Sequence, residues 1–319
     1  MKHFLFVILY SIQLPLLGQL IDNTVSYRNV SADRYFRIHY ENDYFSETDE
    51  FYTQGINLEF VHPVISKFPL SKLVFGSSST QVKNGISVEH IGFTPTSIGH
   101  NEILYGDRPF AAALFLKTFS IINDTVNSYR LTSILSTGVI GPAAGGEQMQ
   151  QEIHRWIGDV QPLGWQNQIQ NDVILNYQVD IEKNLISFRK YIVVNAKAGG
   201  MAGTLYDKAY IGMTFLTGIF ESPFKSFISQ KRKFQVYIYS EPKINVVGYD
   251  ATLQGGIFNQ TSSYTIGPKN INRLVFQHNF GIVFKIKRMN IEYFQSFLSQ
   301  EFTTQGTHRW GGIRIGYAF

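Results

Sequence analysis

The chain has 319 residues, a formal net charge of +4 and no cysteine, which excludes disulfides, thiolate metal sites, a cysteine nucleophile and a lipoprotein anchor. Charged residues make up 16% and aromatic residues 15%, whereas soluble domains carry about 25% charged residues. The basic excess is small and no local basic run accompanies it, so we expect no nucleic-acid partner. This composition favours a single all-β barrel over one or two soluble domains.

The N-terminus has the pattern of an export signal. Lys2 and His3 precede an apolar run over residues 4–17, and Gly18 follows it. A basic start, a short apolar segment and a small residue are typical of a secretory signal peptide. A transmembrane anchor is the alternative, but Pro15 interrupts the run, which is shorter than the roughly 20 residues of a spanning helix. We therefore predict a signal peptide over residues 1–18 and a single domain over residues 19–319.

Apolar and polar side chains alternate with a period of two from Arg34 onward. In residues 274–286 the even-numbered side chains are mostly large and apolar, and the odd-numbered ones are mostly polar or small. Such strands are typical of a transmembrane barrel with lipid outside and a polar lumen inside. The predicted strands are residues 35–43, 51–62, 85–94, 108–121, 128–140, 174–186, 191–201, 209–220, 233–247, 272–288, 290–302 and 308–319. About twelve strands, an even number, allow an antiparallel barrel to close without an unpaired edge in lipid.

The last predicted strand is the sharpest single indication of a membrane barrel. Its outward face carries Ile313, Ile315, Tyr317 and the final residue, Phe319, while Arg314 faces inward. An aromatic final residue on an alternating strand is typical of outer-membrane barrels. We therefore expect an integral outer-membrane protein.

The connections between predicted strands differ in length, as expected when short periplasmic turns alternate with long outer loops. Because the first strand follows the exported N-terminus, the odd-to-even connections are expected outside. These are residues 44–50, 95–107, 141–173, 202–208, 248–271 and 303–307. The even-to-odd connection over residues 63–84 is an exception, since it is long for a periplasmic turn.

Residues 138–158 contain the one strongly predicted helix, within GVIGPAAGGEQMQQEIHRWIG. A strand-like run stops at Gly141-Pro142, and a helical pattern begins at Glu147. An apolar stripe follows helical spacing through Met149, Ile153, Trp156 and Ile157. A neighbouring face carries Gln150, His154 and Gly158. A histidine on a helix is more often structural, but imidazole is also the side chain best suited to general-base work.

Other polar residues are predicted at the same outer rim. Asn42 and Asp43 end the first strand, where they could simply form the turn. Asp107 and Arg108 open the fourth strand. Arg108 could pair with Asp107 or bind an anionic phosphate, and the sequence does not separate these roles.

Five segments between residues 41 and 169 carry a family resemblance: ENDYF, FYTQG, GDRPFA, GVIGPAAGGEQMQQEIHRWIG and GWQNQI. In order and spacing they resemble the outer-membrane lipid A 3′-O-deacylase family, and the long helix segment is the most specific. The resemblance implies a twelve-stranded barrel that uses Ca²⁺ to remove the 3′-linked acyloxyacyl group from lipid A. It implies an active site of Asn42, Asp43, Thr53 and His154.

The chain departs from the family pattern at two positions. The family has a lysine in the loop before the Gly-Asp-Arg run, whereas residues 95–105 contain none and have His100 as their only basic residue. A family acidic position after the helix is Val160 here, with Asp159 beside it.

The implied chemistry is ester hydrolysis by water, with His154 as general base and Ca²⁺ stabilising the oxyanion. Because Ca²⁺ prefers oxygen ligands, Asp43, Asn42 and Thr53 are the expected metal ligands. Arg108 and Asp107 are the expected contacts to lipopolysaccharide, at an active site on the outer face. No Gly-x-Ser-x-Gly motif occurs, which makes a serine nucleophile a weaker hypothesis.

Two alternatives remain at this point: another acyl hydrolase such as an outer-membrane phospholipase, and a non-catalytic barrel, either a pore or an inactive homologue. A barrel this small is expected to be filled by its inward side chains, which argues against a pore. We expect a monomer.

Overall fold

The computed structural model describes residues 21–46, 51–76, 81–188, 191–224 and 232–319, so the predicted signal peptide lies outside the described residues. Within them, twelve antiparallel strands form one closed barrel in which each strand pairs with its chain neighbours and the first pairs with the last. The strands are β1 Tyr35–Asn42, β2 Phe51–Val61, β3 Gln81–Thr94, β4 Ala111–Asp124, β5 Tyr129–Ile140, β6 Asp172–Phe188, β7 Ile192–Gly203, β8 Tyr206–Ile219, β9 Phe234–Asp250, β10 Leu274–Ile286, β11 Met289–Leu298 and β12 His308–Ala318. The predicted fold class is confirmed.

Helices are confined to the connections and to the segment before β1. The α-helices are α1 Gly146–Ile157 and α2 Ala251–Gln254. The 3₁₀ helices are Ser26–Arg28, Asp43–Ser46, Pro63–Lys67, Pro69–Lys72, Pro142–Ala144 and Trp165–Asn167. In the described ranges, no helix combines the length and the apolar character that crossing a membrane requires.

All twelve predicted strands are present, and the differences lie at their ends. β4 begins at Ala111 rather than Arg108, because Pro109 has no N–H for a strand ladder. β3 begins four residues earlier than predicted, since its pairing with β4 continues to Gln81 opposite Asn123. The predicted outer loop over residues 202–208 is wrong: only residues 204–205 separate β7 from β8.

The two ends of the barrel differ. The end that we call the loop end carries α1, α2 and residues 95–110, whereas the turn end carries short connections such as residues 287–288. The long connection after β2, an exception among the predicted turns, lies at the turn end. Its two 3₁₀ helices are followed by Phe75, whose backbone N–H donates to Ser133 Oγ of β5 at 2.8 Å.

The strands alternate between exposed apolar and buried polar positions, as predicted. On β12, Ile313, Ile315 and Tyr317 are exposed while Arg314 is buried. Arg314 Nη1 donates to Glu292 of β11 at 2.9 Å inside the lumen. Inward charges are therefore paired within the barrel, which offsets the cost of removing them from water.

The lumen also contains the chain segment that precedes β1, which the sequence analysis did not predict. Residues 21–30 are largely buried and contact strands all around the barrel. Tyr27 Oη donates to Glu241 of β9 at 2.8 Å, and Arg28 Nε donates to Glu292 of β11 at 2.9 Å. The barrel is thus filled by inward side chains together with a segment of its own chain.

Candidate functional site

Helix α1 lies against the barrel wall through a polar face. Its buried residues are Gly146, Gln150 and His154, at i, i+4 and i+8. A Cβ on Gly146 would lie 2.4 Å from Ala112 Cβ, so the absence of a side chain lets the helix approach β4 closely. Trp165 Nε1 donates to Gln150 Oε1 at 2.7 Å, which satisfies part of this buried amide. His154 therefore lies between the helix and the strands.

The predicted apolar stripe of α1 faces elsewhere. Trp156 is 87% exposed and Ile157 is 64% exposed, while Met149 and Ile153 are half-buried. A soluble protein would normally bury such a stripe and expose the polar face. Here the polar face can be buried because Gln150 and His154 find hydrogen-bond partners in the following residues, and the apolar end of the helix is left on the surface.

Glycines set both ends of α1. Gly145 and Gly158 have φ angles of 76° and 74°, in the left-handed region that side chains disfavour. After Gly158 the chain reverses, and Asp159 N–H donates to the His154 carbonyl at 3.0 Å. This reversal brings the next residue back to the His154 ring.

The His154 ring is oriented by a backbone carbonyl. His154 Nδ1 lies 2.6 Å from the Val160 carbonyl oxygen. Because a carbonyl only accepts, Nδ1 carries the proton in the neutral ring and Nε2 carries a lone pair. Within the described part of the chain, Nε2 has no hydrogen-bond partner. This tautomer is the one that a general base acting through Nε2 requires.

Asn42, Asp43 and Thr53 meet where β1 ends and β2 begins. Asn42 Nδ2 donates to the Thr53 carbonyl, and Asn42 Oδ1 accepts from Tyr44 N–H at 2.6 Å. Asn42 therefore does form the turn after the strand, and it also joins the two strands. Asp43, the next residue, is 1% exposed, so its carboxylate is shielded from solvent.

Thr53 occupies a β-bulge. The pairing of β2 with β3 shifts register between Tyr52 and Gln54, which leaves Thr53 as the extra residue. Bulges redirect side chains and are frequent beside active sites. Thr53 Oγ1 lies 2.7 Å from Thr94 Oγ1 at the end of β3.

The donor atoms of this group suit a hard cation. Asp43, Asn42 and Thr53 offer carboxylate, amide and hydroxyl oxygens, the ligand type that Ca²⁺ takes at roughly six to eight positions. Gln54 Oε1, on the adjacent residue, is buried without a hydrogen-bond partner. No cluster of three or more His, Cys, Asp or Glu occurs among the described residues, so amide, hydroxyl or backbone oxygens would have to complete a metal site.

Asp107 and Arg108 do not form a salt bridge with each other; Arg108 pairs with Glu301 instead. The buried Arg108 guanidinium donates to Glu301 and to Thr252 Oγ1, the latter at 2.6 Å. Its central carbon lies 4.0 Å from the centre of the Phe93 ring. The structure thus places Arg108 in a network with two other loop-end connections. Direct substrate binding by Arg108 stays a prediction.

Asp107 holds its own loop. Its Oδ2 accepts from Thr96 N–H at 2.9 Å, and its backbone carbonyl accepts from Tyr264 Oη at 2.9 Å. Burial raises the pKa of the Tyr264 phenol above its ordinary value, which favours the protonated donor. The role of Asp107 as a substrate contact likewise stays a prediction.

The connection between β3 and β4 links the two halves of the site. It starts at Thr94, beside Thr53, and reaches Gly99, where an added Cβ would lie 3.2 Å from Val160 Cγ1. Leu163 N–H donates to the Ile98 carbonyl at 2.8 Å. Five residue steps span at most about 18 Å, so this short connection passes from the Thr53 bulge to the turn that orients His154.

Several of these partners were not identified from the sequence. The motif comparison identified Asn42, Asp43, Thr53 and His154, and the structure brings all four to the loop end. Glu301, Thr252 and Thr94 had no local signal, because their partners are distant in sequence. Gln150 and Trp165 lie in two neighbouring motifs that both carry the family resemblance, so they could have been proposed as a contact pair from the sequence.

Comparisons with known proteins agree with this architecture. The family model described as "Outer membrane protein LpxR" matches residues 5–319. The structure is similar to LpxR from Salmonella typhimurium, with a TM-score of 0.74 and 20% identity over 89% of this chain and 100% of that chain. It is weakly similar to the beta domain of the Bordetella autotransporter Brka, with a TM-score of 0.49 and 8% identity over 90% of this chain and 100% of that chain. No curated protein sequence matches the chain.

Proposed function

The chain belongs to the LpxR family of outer membrane proteins, and from that premise we propose that it is a calcium-dependent hydrolase that removes the 3′-acyloxyacyl group from lipid A. We place the loop end, with α1, on the outer face of the membrane, where lipopolysaccharide lies. The predicted signal peptide would provide export, and we expect the barrel to act as a monomer.

The observation that carries this proposal is the orientation of His154. Its Nδ1–H is held by the Val160 carbonyl, which leaves Nε2 as the acceptor for a proton from water. The resulting hydroxide attacks the ester carbonyl carbon and forms a tetrahedral oxyanion. When that species collapses, the ester C–O bond breaks and the departing sugar oxygen takes the proton back from Nε2. The carboxylic acid and the sugar hydroxyl are the products.

The Asn42, Asp43 and Thr53 group supports the same proposal. Asn42 ties the Thr53 backbone to the end of β1, which fixes the position of the bulge relative to Asn42. Asp43 would be the principal ligand of a bound Ca²⁺, with oxygens of Asn42 and Thr53 beside it. When bound there, Ca²⁺ would supply positive charge for the oxyanion.

The exposed apolar end of α1 fits an acylated substrate. Trp156, Ile157, Val160 and Leu163 are all exposed at the loop end. Exposed apolar groups of this kind mark membrane or ligand contacts. They would accompany the acyl chains, while Nε2 of His154 would face the ester.

The decisive experiment is mass spectrometry of lipid A from cells that produce the wild-type protein, the His154→Ala variant or neither. Removal of a general base costs about 10²–10⁴-fold in rate, so the variant should release essentially no acyloxyacyl group. The matched control is His278→Gln, because His278 lies on the lipid-facing side of β10 and bonds to Ser240.

The other outcomes separate the alternatives. Free fatty acid from phospholipid, with lipid A unchanged, would favour a phospholipase. An unchanged lipid profile in cells that contain folded wild-type protein would favour a non-catalytic barrel.

Metal removal provides a separate prediction. Excess chelator should abolish ester release, and added Ca²⁺ should restore it. Mg²⁺ should restore it less well, because it demands a tighter octahedral shell and keeps its waters. Full activity of the purified barrel in excess chelator would contradict the calcium part of the proposal.

A further inference from the structure

The turn end contains a cavity of about 80 Å³ with a basic lining. Four of the residues around it are cationic: Arg232, Lys285, Lys287 and Arg288. By the same measure one water needs roughly 10–15 Å³, so the cavity has room for a tetrahedral oxyanion. It lies at the opposite end of the barrel from His154, and the hydrolase mechanism does not use it.

The four cations come from three parts of the chain. Lys285 points inward from β10, and its Nζ donates to the Asn29 carbonyl at 2.6 Å, below the segment that fills the lumen. Lys287 and Arg288 form the two-residue turn between β10 and β11, and Arg232 precedes β9. Besides the proton that it donates to the Asn29 carbonyl, the Lys285 amine has further N–H groups that can donate to a ligand.

Among the described residues, the side chains that line the cavity carry no negative charge. Neither aspartate nor glutamate is among the described residues that line the cavity, and none of the four cations forms an ion pair within the described ranges. Glu221 and Glu292 are acidic residues near Lys285, and the Glu221 carboxylate accepts from the Arg232 backbone N–H at 3.1 Å. Positive charges that surround one small cavity repel one another, and a bound anion would relieve that repulsion.

The turn itself provides a second observation. Lys287 has a φ angle of 54°, in the left-handed region that lysine disfavours. Two-residue hairpin turns prefer glycine or asparagine at such a position. A lysine there strains the backbone but adds a positive charge at the mouth of the cavity. Strained positions of this kind are concentrated at binding sites.

The cavity adjoins the lipid-facing surface. Met289, which also lines it, is 38% exposed on the outward side of β11. A ligand held by Lys287 and Arg288 could therefore extend along the apolar outside of the barrel. This position suits a phosphate attached to acyl chains.

We propose that Arg232, Lys285, Lys287 and Arg288 form a binding site for a phosphate group, supplied by the head group of an anionic phospholipid or by free phosphate. Arginine binds phosphate through paired N–H donors, and lysine adds point charge. The site is independent of the proposed hydrolase. If the loop end lies on the outer face, as proposed, this site lies at the periplasmic leaflet.

The test is calorimetric titration of the full-length, delipidated barrel in uncharged detergent. The probes are inorganic phosphate, dihexanoyl phosphatidylglycerol and, as a zwitterionic comparison, dihexanoyl phosphatidylcholine. The test variant is Lys287→Asn with Arg288→Gln, since asparagine tolerates the left-handed backbone. The control is Lys67→Gln with Lys72→Gln, which removes two exposed lysines from the same end of the barrel, outside the cavity lining.

The test variant should bind phosphatidylglycerol at least about tenfold more weakly than wild type, while the control should be unchanged. Binding of both phosphate and phosphatidylglycerol would identify the phosphate group as sufficient, and binding of phosphatidylglycerol alone would identify the lipid as the source. Absence of binding to either probe, or equal weakening in test and control variants, would overturn the proposal. If the double variant fails to fold, Arg232→Gln takes its place, because Arg232 lies outside the turn.

Discussion

At the scale of single residues, a backbone carbonyl orients the imidazole ring of His154. The carbonyl of Val160 binds Nδ1 whatever side chain residue 160 carries. The orientation of this ring therefore does not depend on an acidic side chain at position 160. The acidic neighbour, Asp159, instead accepts from Val160 N–H at 2.7 Å and holds the same turn.

We expect the hydroxyl of Thr53 to contribute to activity by binding Ca²⁺. Thr53→Val should raise the Ca²⁺ concentration needed for half-maximal activity by roughly 10–100-fold, whereas Thr53→Ser should remain near wild type. Calcium titration of ester release measures the difference.

Thr94→Val is the matched control for Thr53. It removes the partner of Thr53 Oγ1 but leaves the proposed ligand in place. If Thr94→Val and Thr53→Val shift the calcium dependence equally, Thr53 has a packing role and is not a ligand.

At the scale of elements, Gly158 decides where α1 ends and so where His154 lies. Gly158→Ala should cost roughly 1 kcal/mol, because alanine disfavours the left-handed backbone at 74°. The strain should fray the last turn and lower the rate of ester release about fivefold.

Gly76→Ala is the control for this substitution. An added Cβ at Gly158 or at Gly76 would meet no atom within 4 Å, but only Gly158 has a positive φ angle. Comparison of ester-release rates and thermal unfolding of the two variants therefore isolates the backbone effect. Equal rates would show that the helix end does not position His154.

The Arg108 network joins three connections of the loop end. Arg108→Met should destabilise this end by about 3–5 kcal/mol, since it leaves Glu301 as a buried, uncompensated charge. Hydrogen exchange of residues 95–110 should accelerate, and Arg108→Met with Glu301→Leu should recover part of the loss.

Arg155→Met is the control for the network, because Arg155 and Glu152 form an exposed pair. Such surface pairs contribute only about 0–1 kcal/mol. Similar hydrogen exchange in Arg108→Met and Arg155→Met would contradict a structural role for the network.

At the scale of the whole molecule, the filled lumen argues against a pore. Residues 21–30 and the paired charges around them occupy the interior from strand to strand. The full-length barrel should therefore produce no steady single-channel steps in planar lipid bilayers. Stable open-channel currents from the purified protein would contradict this prediction and would revive the pore hypothesis.

The sequence by itself determined the features that depend on neighbouring residues. Alternation with a period of two specified all twelve strands and their lipid-facing sides, and helical spacing specified α1. The family resemblance of the motifs also predicted His154 and the Asn42–Asp43 pair as site residues, and the structure places them at the loop end. The strands and the helix were predictable because their residue patterns repeat over a few neighbouring positions in the chain.

Only the tertiary structure decided the contacts between residues that are distant in the chain. Arg108 is paired with Glu301, 193 positions away, and Tyr27 with Glu241, 214 positions away. The bulge at Thr53 and the buried polar face of α1 likewise depend on the adjacent strands. Local periodicity records which face of an element is apolar, but it does not record which distant group satisfies a buried charge or amide.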